Sequence, residues 1–370
     1  MTSIRAGVHL IASRMKADVP GLPEADLTAA PSSPEDLAEL LAEASAGRLK
    51  VLVWGGGTHQ GLGHRVEPDL VISTSRLNRL LAWEPDDMTV VVEGGMGVED
   101  LELRLAARGQ TAVLPETPGQ ATVGGVLAAA ISGYRRGRYG PTRDRILEVT
   151  VVTGDGRIVK AGGRVVKNVT GYDLPRLVVG SFGSLGVIVS ACLKLWPRPN
   201  ASATVTLDDP GVAGLVYRPL AVLADLSDTK VFLAGTHAEV EAQAMRLGGV
   251  REEGLVWPQP IPGETTWSLR VPPSMVDSAL TRIPSSAIRI AQLLVGEISF
   301  SADRLEGMVD LRRWAESVGG RLVVTKAPAP LYEMFDPWGA PPPALDLQRR
   351  LIEAFDPQRV INPGRLPGRI

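Results

Sequence analysis

The sequence predicts an α+β chain of two domains, and three observations carry that prediction. Three glycine-rich stretches fall in its first half: Trp54-Gly55-Gly56-Gly57-Thr58, Pro118-Gly119-Gln120-Ala121-Thr122-Val123-Gly124-Gly125 and Gly180-Ser181-Phe182-Gly183-Ser184-Leu185-Gly186. Each ends an apolar run and lacks bulky side chains, so its backbone can approach a ligand closely and offer N–H groups to phosphate oxygens. Pro197-Arg198-Pro199-Asn200 then marks a boundary. Beyond it, strand and helix patterns alternate as in a small antiparallel sheet with helices on one face. The expected divisions are 17–199, an α+β cap at 200–330, and a terminal segment at 331–370.

The elements follow in order. Ser33-Pro34-Glu35-Asp36 opens a helix, with Ser as N-cap, Pro at the first helical position and acids in the positive first turn. Leu37, Leu40, Leu41 and Ala44 recur at helical spacing, Gly47 ends the turn, and 50–54 forms a strand running into the first glycine stretch. Strands are expected at 69–73 and 89–93, and a helix over 98–108 stopped by Gly109. Gly154-Asp155-Gly156 between β-branched runs at 147–153 and 157–160 signals a hairpin. Another strand spans 187–195. In the cap, strands are expected at 231–234, 267–271, 293–300 and 321–325, with helices near 238–247 and 302–318. The proline-dense 327–344 is expected to be irregular, and 345–355 a last helix.

Composition bounds the function. At 370 residues, 44 % hydrophobic and 22 % charged, the chain has the make-up of an ordinary globular protein. A net charge of −2 argues against a nucleic-acid partner, which would require a surplus of Lys and Arg. The single cysteine, Cys192, lies in an apolar run and is expected to be a buried small hydrophobe. An iron–sulfur cluster takes about four thiolates, so this chain alone does not carry one. The N-terminal stretch has one short apolar patch, 8–12, and no clear cleavage site, so secretion is not expected. The longest nearly uncharged run, 177–193, is broken by glycines and serines and falls short of the ~20 apolar residues of a spanning helix.

Two familiar phosphate motifs are excluded by spacing. A dinucleotide fingerprint after Val51-Leu52-Val53 needs glycine at position 60, which is Gln. A triphosphatase loop ends in Gly-Lys, a pair this chain lacks. What remains is a large phosphorylated cofactor held across a whole domain.

Further segments make the reading specific. Lys167-Asn168-Val169-Thr170-Gly171-Tyr172-Asp173-Leu174 lies between the second and third stretches, and Asn362-Pro363-Gly364-Arg365 near the end. With the glycine stretches, these resemble the vanillyl-alcohol-oxidase (PCMH) type of FAD-binding oxidoreductases over roughly 20–199 and the last twenty or so residues. Tyr134-Arg135-Arg136-Gly137 and Asp336-Pro337-Trp338-Gly339 are most similar to the FAD-binding subunits of bacterial glycolate oxidases. The resemblance implies FAD extended between two α+β subdomains. Gly55, Gly56, Gly57, Thr58 and His59, with Glu116, Thr117, Pro118, Gly119, Gln120, Ala121 and Thr122, would surround the pyrophosphate. Gly124, Gly125, Ala129, Ala130, Ile131 and Ser132 would continue that contact. Phe182, Gly183, Ser184, Leu185, Gly186, Val187 and Ile188 would line the adenine and flavin, and Lys167, Tyr172 and Asp173 would complete the set. Two departures stand out. Many relatives carry an acid where Phe182 stands. His59 is one residue out of place for covalent attachment and lacks a Ser-Gly-Gly-His context, so non-covalent FAD is expected.

Oxidising a 2-hydroxy acid at a flavin requires a base, cations for the carboxylate and open space at the flavin. The four histidines, His9, His59, His64 and His237, do not form a pair at metal-ligand spacing in the second domain, and no metal site or catalytic base is assigned. Cations are plentiful: Arg135, Arg136, Arg138, Arg143, Arg145, Arg164 and Lys167 cluster after the second stretch. They are either solvated surface charges, or Lys167 or a neighbouring Arg stabilises anionic reduced flavin while Arg135 and Arg136 face a partner. The cofactor domain is complete and the substrate apparatus thin. The expected role is therefore an FAD-binding subunit that assists or relays electrons in oxidation of a 2-hydroxy acid such as glycolate. By resemblance its partners are a larger FAD-binding catalytic subunit and an iron–sulfur subunit. A cytoplasmic location is expected, with any membrane association made through those partners. Two alternatives stay open: a free-standing dehydrogenase using Tyr172 or Tyr332 as base, and a cofactor-free scaffold.

Overall fold

The structure, a computed structural model, describes residues 2–15, 17, 21–117, 119–164 and 171–370. Two compact units divide the chain: Met1–Ile131 with Pro141–Pro197 and Ala340–Ile370, and Ser132–Gly140 with Arg198–Gly339.

The first unit contains two sheets. In one, the parallel strands Leu27–Ala29, Leu70–Ser73 and Val51–Trp54 lie in that order, with the helix Pro34–Gly47 as the crossover that parallel pairing requires. The helix begins as its sequence dictates, with the Ser33 hydroxyl accepting from Asp36 N–H at 3.0 Å and Pro34 following. Its left-handed end falls on Arg48, at φ 52°, one residue beyond the expected Gly47. Ser33→Ala is expected to lower stability by ~1 kcal/mol, the usual worth of such a cap, measurable as a shift of the urea midpoint.

The other sheet is antiparallel and five-stranded, in the order Leu80–Glu84, Thr89–Glu93, Val187–Lys194, Ile146–Val152, Ile158–Gly162. The last two form the hairpin announced by Gly154-Asp155-Gly156. Every residue of Thr89–Glu93 is buried, because both faces of this sheet carry core. One side packs on the helices Val98–Ala106 and Val123–Ala128 through Leu101, Leu105, Val126 and Leu127. The other shares a core with the parallel sheet through Val152, Val187 and Val189. The apolar patch near the N-terminus joins that second core: the helix Thr2–Arg14 buries Val8, Ile11 and Ala12. Cys192 is fully buried, and burial pushes its thiol up to about 11, with Glu148 adding to the effect.

The terminal segment returns to this unit. Asp356 is buried and accepts Ile361 N–H at 2.7 Å, and Ile361 pairs in parallel with Val51. The strap is thereby fixed beside the strand that leads into the first glycine stretch.

The second unit is built on one antiparallel sheet of eight strands. Their order is Val250–Glu253, Ala201–Leu207, Thr229–Gly235, Ala221–Ala224, Arg289–Gln292, Glu297–Ser301, Thr266–Arg270, Arg321–Lys326. The helices His237–Leu247 and Met308–Ser317 cover one face through Val240, Ala244, Met308 and Leu311. Three sequence expectations change here. The run 293–300 is not one strand: Gly296, at φ 68°, turns the chain between two strands, the first starting at Arg289. The helix expected from 302 starts at Met308, after Gly307 at φ 76°. Within the proline-dense stretch, Ala329–Met334 is helical, with Pro tolerated in its first turn.

Among the described residues, no helix is long and apolar enough to cross a membrane, and no cluster of His, Cys, Asp and Glu could hold a metal ion.

Candidate functional site

The strand Val51–Trp54 delivers the chain into Gly55–His59 at the edge of a cleft in the first unit. The cleft is partly open to solvent, and its enclosed part is small, about 80 Å³. Its lining gathers Gly55, Gly56, Gly57, Thr58 and His59 from the first glycine stretch, and Thr122, Gly124, Gly125 and Ala129 from the second. Phe182, Gly183, Val187 and Ile188 come from the third. Three stretches far apart in sequence thus meet in one place.

They contribute differently. Among the described residues, none accepts a hydrogen bond from the N–H groups of Gly55, Gly56, Gly57, Thr58 or His59. Five consecutive donors are left for a ligand; Thr58 is exposed, and the other four belong to half-buried residues, whose N–H groups are ordinarily paired. In the second stretch Gly124 N–H is taken by Gly94 O at 2.7 Å and Gly125 N–H by the Thr122 hydroxyl at 3.2 Å. In the third, Phe182 N–H goes to Ala128 O, Gly183 N–H to the Ser181 hydroxyl and Gly186 N–H to Gly183 O.

Many of the glycines serve backbone packing. A Cβ on Gly56 would stand 1.5 Å from Gln120 O, and one on Gly124 2.8 Å from Gly94 O. Gly57 combines φ 74° with the Trp54 ring 2.5 Å from where its Cβ would be. The first stretch therefore lies directly against the second, main chain to main chain.

Two side chains from the C-terminal strap, absent from the sequence-based set, complete the cleft. Asn362, at φ 47°, accepts Val53 N–H at 3.1 Å and donates to Phe182 O at 2.6 Å, bridging the strand that leads into the first stretch and the third stretch. Buried Arg365 donates to Leu62 O, His59 O, Gln60 O and the Gln60 amide oxygen, at 2.5 to 3.2 Å. Its guanidinium also lies 5.6 Å from the Phe182 ring centre. Arg365 thus takes up the oxygens behind the loop, and the N–H groups are the hydrogen-bonding capacity left over. Gln60, Thr74, Gly94 and Ala128 also line the cleft and lie outside the expected set. Phe182 holds φ 52°, a strained backbone for a bulky residue, and such strain concentrates at functional sites.

The remaining expected residues are placed elsewhere. Gln120 and Gly119 are exposed beside the cleft, Ala121 is buried under it, and Glu116 and Thr117 are half-buried on the approach. Ala130 turns at φ 54°, Ile131 N–H bonds to Val126 O, and Ser132 falls in the second unit. Ser184 and Gly186 are buried behind the cleft, and Leu185 packs with Ile352 and Ile370. Asp173 caps the helix Leu174–Val178, and Tyr172 is 94 % exposed. Pro118 and Lys167 lie outside the described residues. Tyr332 is in the core of the second unit.

Several arginines already have partners. Arg136 pairs with Glu297 at 3.5 Å, Arg164 shares Glu148 with Lys160, and fully buried Arg145 donates to the Thr142 hydroxyl.

Burial first, and the Arg365 charge second, hold His59 down to about 4 from its usual 6.5, so it is neutral at pH 7. The unfolded chain binds a proton that the fold resists between those values. The stability tied to neutral His59 is full above pH 6.5 and lost as pH falls towards 4. The urea midpoint of flavin-free protein is expected to fall across that window, and His59→Gln to flatten the fall.

Comparisons with known proteins agree with this geometry. Residues 25–162 match the family described as FAD binding domain. The chain is 28 % identical over 364 residues to glycolate oxidase subunit GlcE of Escherichia coli (strain K12), covering 89 % of this chain and 96 % of that protein. It is 32 % identical over 224 residues to the mitochondrial D-lactate dehydrogenase [cytochrome] of Arabidopsis thaliana, covering 60 % of this chain and 39 % of that one. Against several of its curated relatives the chain thus spans only about two fifths of their length. A solved structure of alkyldihydroxyacetonephosphate synthase superposes with a TM-score of 0.65 at 15 % identity, over 91 % of this chain and 75 % of that one, sharing the PCMH-type fold. Residues 25–162 are thus similar to an FAD binding domain, and the chain is related to glycolate oxidase subunits and D-lactate dehydrogenases.

Proposed function

We propose that this chain is the FAD-binding subunit of a 2-hydroxy acid oxidising complex of the glycolate oxidase type, holding FAD non-covalently in the glycine-lined cleft. The observation that carries the reading is the row of five uncommitted N–H groups from Gly55 to His59. A doubly charged pyrophosphate needs several converging donors in a partly dry site, and this row meets that need. Apolar Val187, Ile188 and Ala128, with Phe182, suit the flat ring systems. Bound FAD supplies the two-electron acceptor for hydride removal from the substrate. The chain's own part is to bind and orient: Arg365 fixes the loop's carbonyls, Asn362 ties the loop's strand to the third stretch, and neutral His59 adds no charge at pH 7.

Similarity over nearly the whole length of a glycolate oxidase subunit supports a role beside partners, a larger flavoprotein and an iron–sulfur protein. The division of residues 200–330 as a cap and 331–370 as a segment serving the cofactor domain belongs to the same reading. The test is to express the chain alone and together with both partners. Acid should release intact FAD from the lone chain, and glycolate should bleach the flavin only when the partners are present. Bleaching of the lone chain with an artificial acceptor would make it a free-standing dehydrogenase, and flavin left on the pellet would refute non-covalent binding.

A further inference from the structure

Asp356 follows the helix Leu345–Phe355 and is fully buried, yet it does not line the cleft. Its Oδ2 accepts Ile361 N–H at 2.7 Å, and the N–H groups of Val360 and Arg359 face the same carboxylate. Three consecutive donors thus converge on one side chain, and the next residue is Asn362. At the ends of this run the backbone is left-handed at non-glycine residues, Arg359 at φ 52° and Asn362 at φ 47°, a conformation that persists only where the surroundings impose it. Val51 N–H donates to Val360 O and Asn362 N–H to Val51 O, both at 2.8 Å, which seats the bent strap beside the strand entering the first glycine stretch.

The carboxylate is also fixed from its far side. The hairpin turn at Gly154 grips the end of the same helix: Gly154 N–H donates to Phe355 O at 3.0 Å, and the Arg157 guanidinium to Ala354 O at 2.9 Å. A Cβ on Gly154 would stand 2.1 Å from Asp356 Oδ1 and 2.4 Å from its carboxyl carbon, so glycine at this position leaves the carboxylate its room. Burial pushes the Asp356 carboxyl up, against the opposing pull of the Ile361 and Val360 N–H groups. The net rise means that the negative charge is a burden on the fold. Stability alone therefore does not account for a carboxylate in this place.

We propose that Asp356 is a positioning residue for FAD: by gathering the N–H groups of Arg359, Val360 and Ile361 it presents Asn362 and Arg365 to the cleft, and through Arg365 it holds the Gly55–His59 row in place for the pyrophosphate. The inference rests on the reading of that row as the pyrophosphate site. The test titrates the flavin-free full chain with FAD and with riboflavin and reads the ratio of the two affinities. Asp356→Ala removes the acceptor. Gly154→Ala displaces the carboxylate from outside the cleft, at a residue whose own φ is not left-handed. Each is expected to weaken FAD by at least about tenfold, the loss of one hydrogen bond to a charged group, and to leave riboflavin near wild type. Asp356→Asn, which keeps an acceptor for Ile361 N–H, should restore the ratio, whereas a role in stability alone would lower both affinities together. A wild-type chain that binds FAD and riboflavin equally would refute the pyrophosphate reading and this proposal with it. Where the wild type prefers FAD, an unchanged ratio in either alanine variant, no rescue by asparagine, or loss of the folded circular dichroism spectrum in both alanine variants would each overturn the positioning role alone.

Discussion

Replacing Gly56 by alanine is expected to abolish flavin retention and to destabilise the first unit. The added Cβ would lie 1.5 Å from Gln120 O and 2.5 Å from the Gln120 carbonyl carbon. Both are main-chain atoms, so no rotamer change relieves the clash, and the first and second stretches must move apart. Overpacking of this kind costs about 1–3 kcal/mol, and this case belongs at or above the upper end. The displaced loop is the one with the five free N–H groups, so FAD affinity is expected to fall by at least about tenfold, or ~1.4 kcal/mol. Gly119→Ala is the control. Its Cβ would meet only the flexible Glu99 carboxylate, at 3.4 Å or more, and both stability and FAD binding should stay near wild type. Equal behaviour of the two variants in a flavin titration would show that close packing at Gly56 is irrelevant to the site.

Arg365→Ala is the second large effect. The guanidinium serves oxygens of His59, Gln60 and Leu62 from a buried position, and its loss leaves them without their donor. Hydrogen bonds to a charged group are worth ~1.5–3 kcal/mol each and are not additive, so a loss of about 3 kcal/mol or more is expected. Arg365→Lys should rescue little, because an ammonium is a point charge without the planar fork that spans three residues. Urea unfolding and FAD titration of both variants check this. A lysine variant that binds FAD as wild type does would show that charge alone suffices.

Much of this architecture is legible in the sequence. Ser33-Pro34 starts a helix where it should, the hairpin at Gly154-Asp155-Gly156 is present, and the helix Leu345–Phe355 has its expected bounds. The strand Val250–Glu253 leaves no such trace: all four residues are exposed, so no alternation marks it. The helix Thr2–Arg14 shows only a short apolar patch, and of it Val8, Ile11 and Ala12 join the core, mainly beside the helix Pro34–Gly47 and the strand Leu27–Ala29. Gly296 carried a signal, since glycine inside a strand pattern warns of a turn or bulge.

For the cleft, the sequence marks where Cβ atoms are missing, but not which atom requires the space. That is why the three stretches look equivalent and are not: Gly56 and Gly124 accommodate other main chain, while 55–59 keep free donors. Asn362 and Arg365 stand out in sequence as part of a terminal motif. Their role comes only from folding, which carries Arg365 across 305 positions to Gln60.

The central claim is that Gly55–His59 hold a pyrophosphate. Its most direct measurement is a calorimetric titration of flavin-free chain with FAD and, in parallel, with riboflavin, which has the same ring system and no phosphate. The account predicts tight FAD binding and riboflavin binding weaker by several factors of ten, at ~1.4 kcal/mol each. Equal affinity for the two would mean that the ring alone is recognised and that the free N–H row does not hold the cofactor.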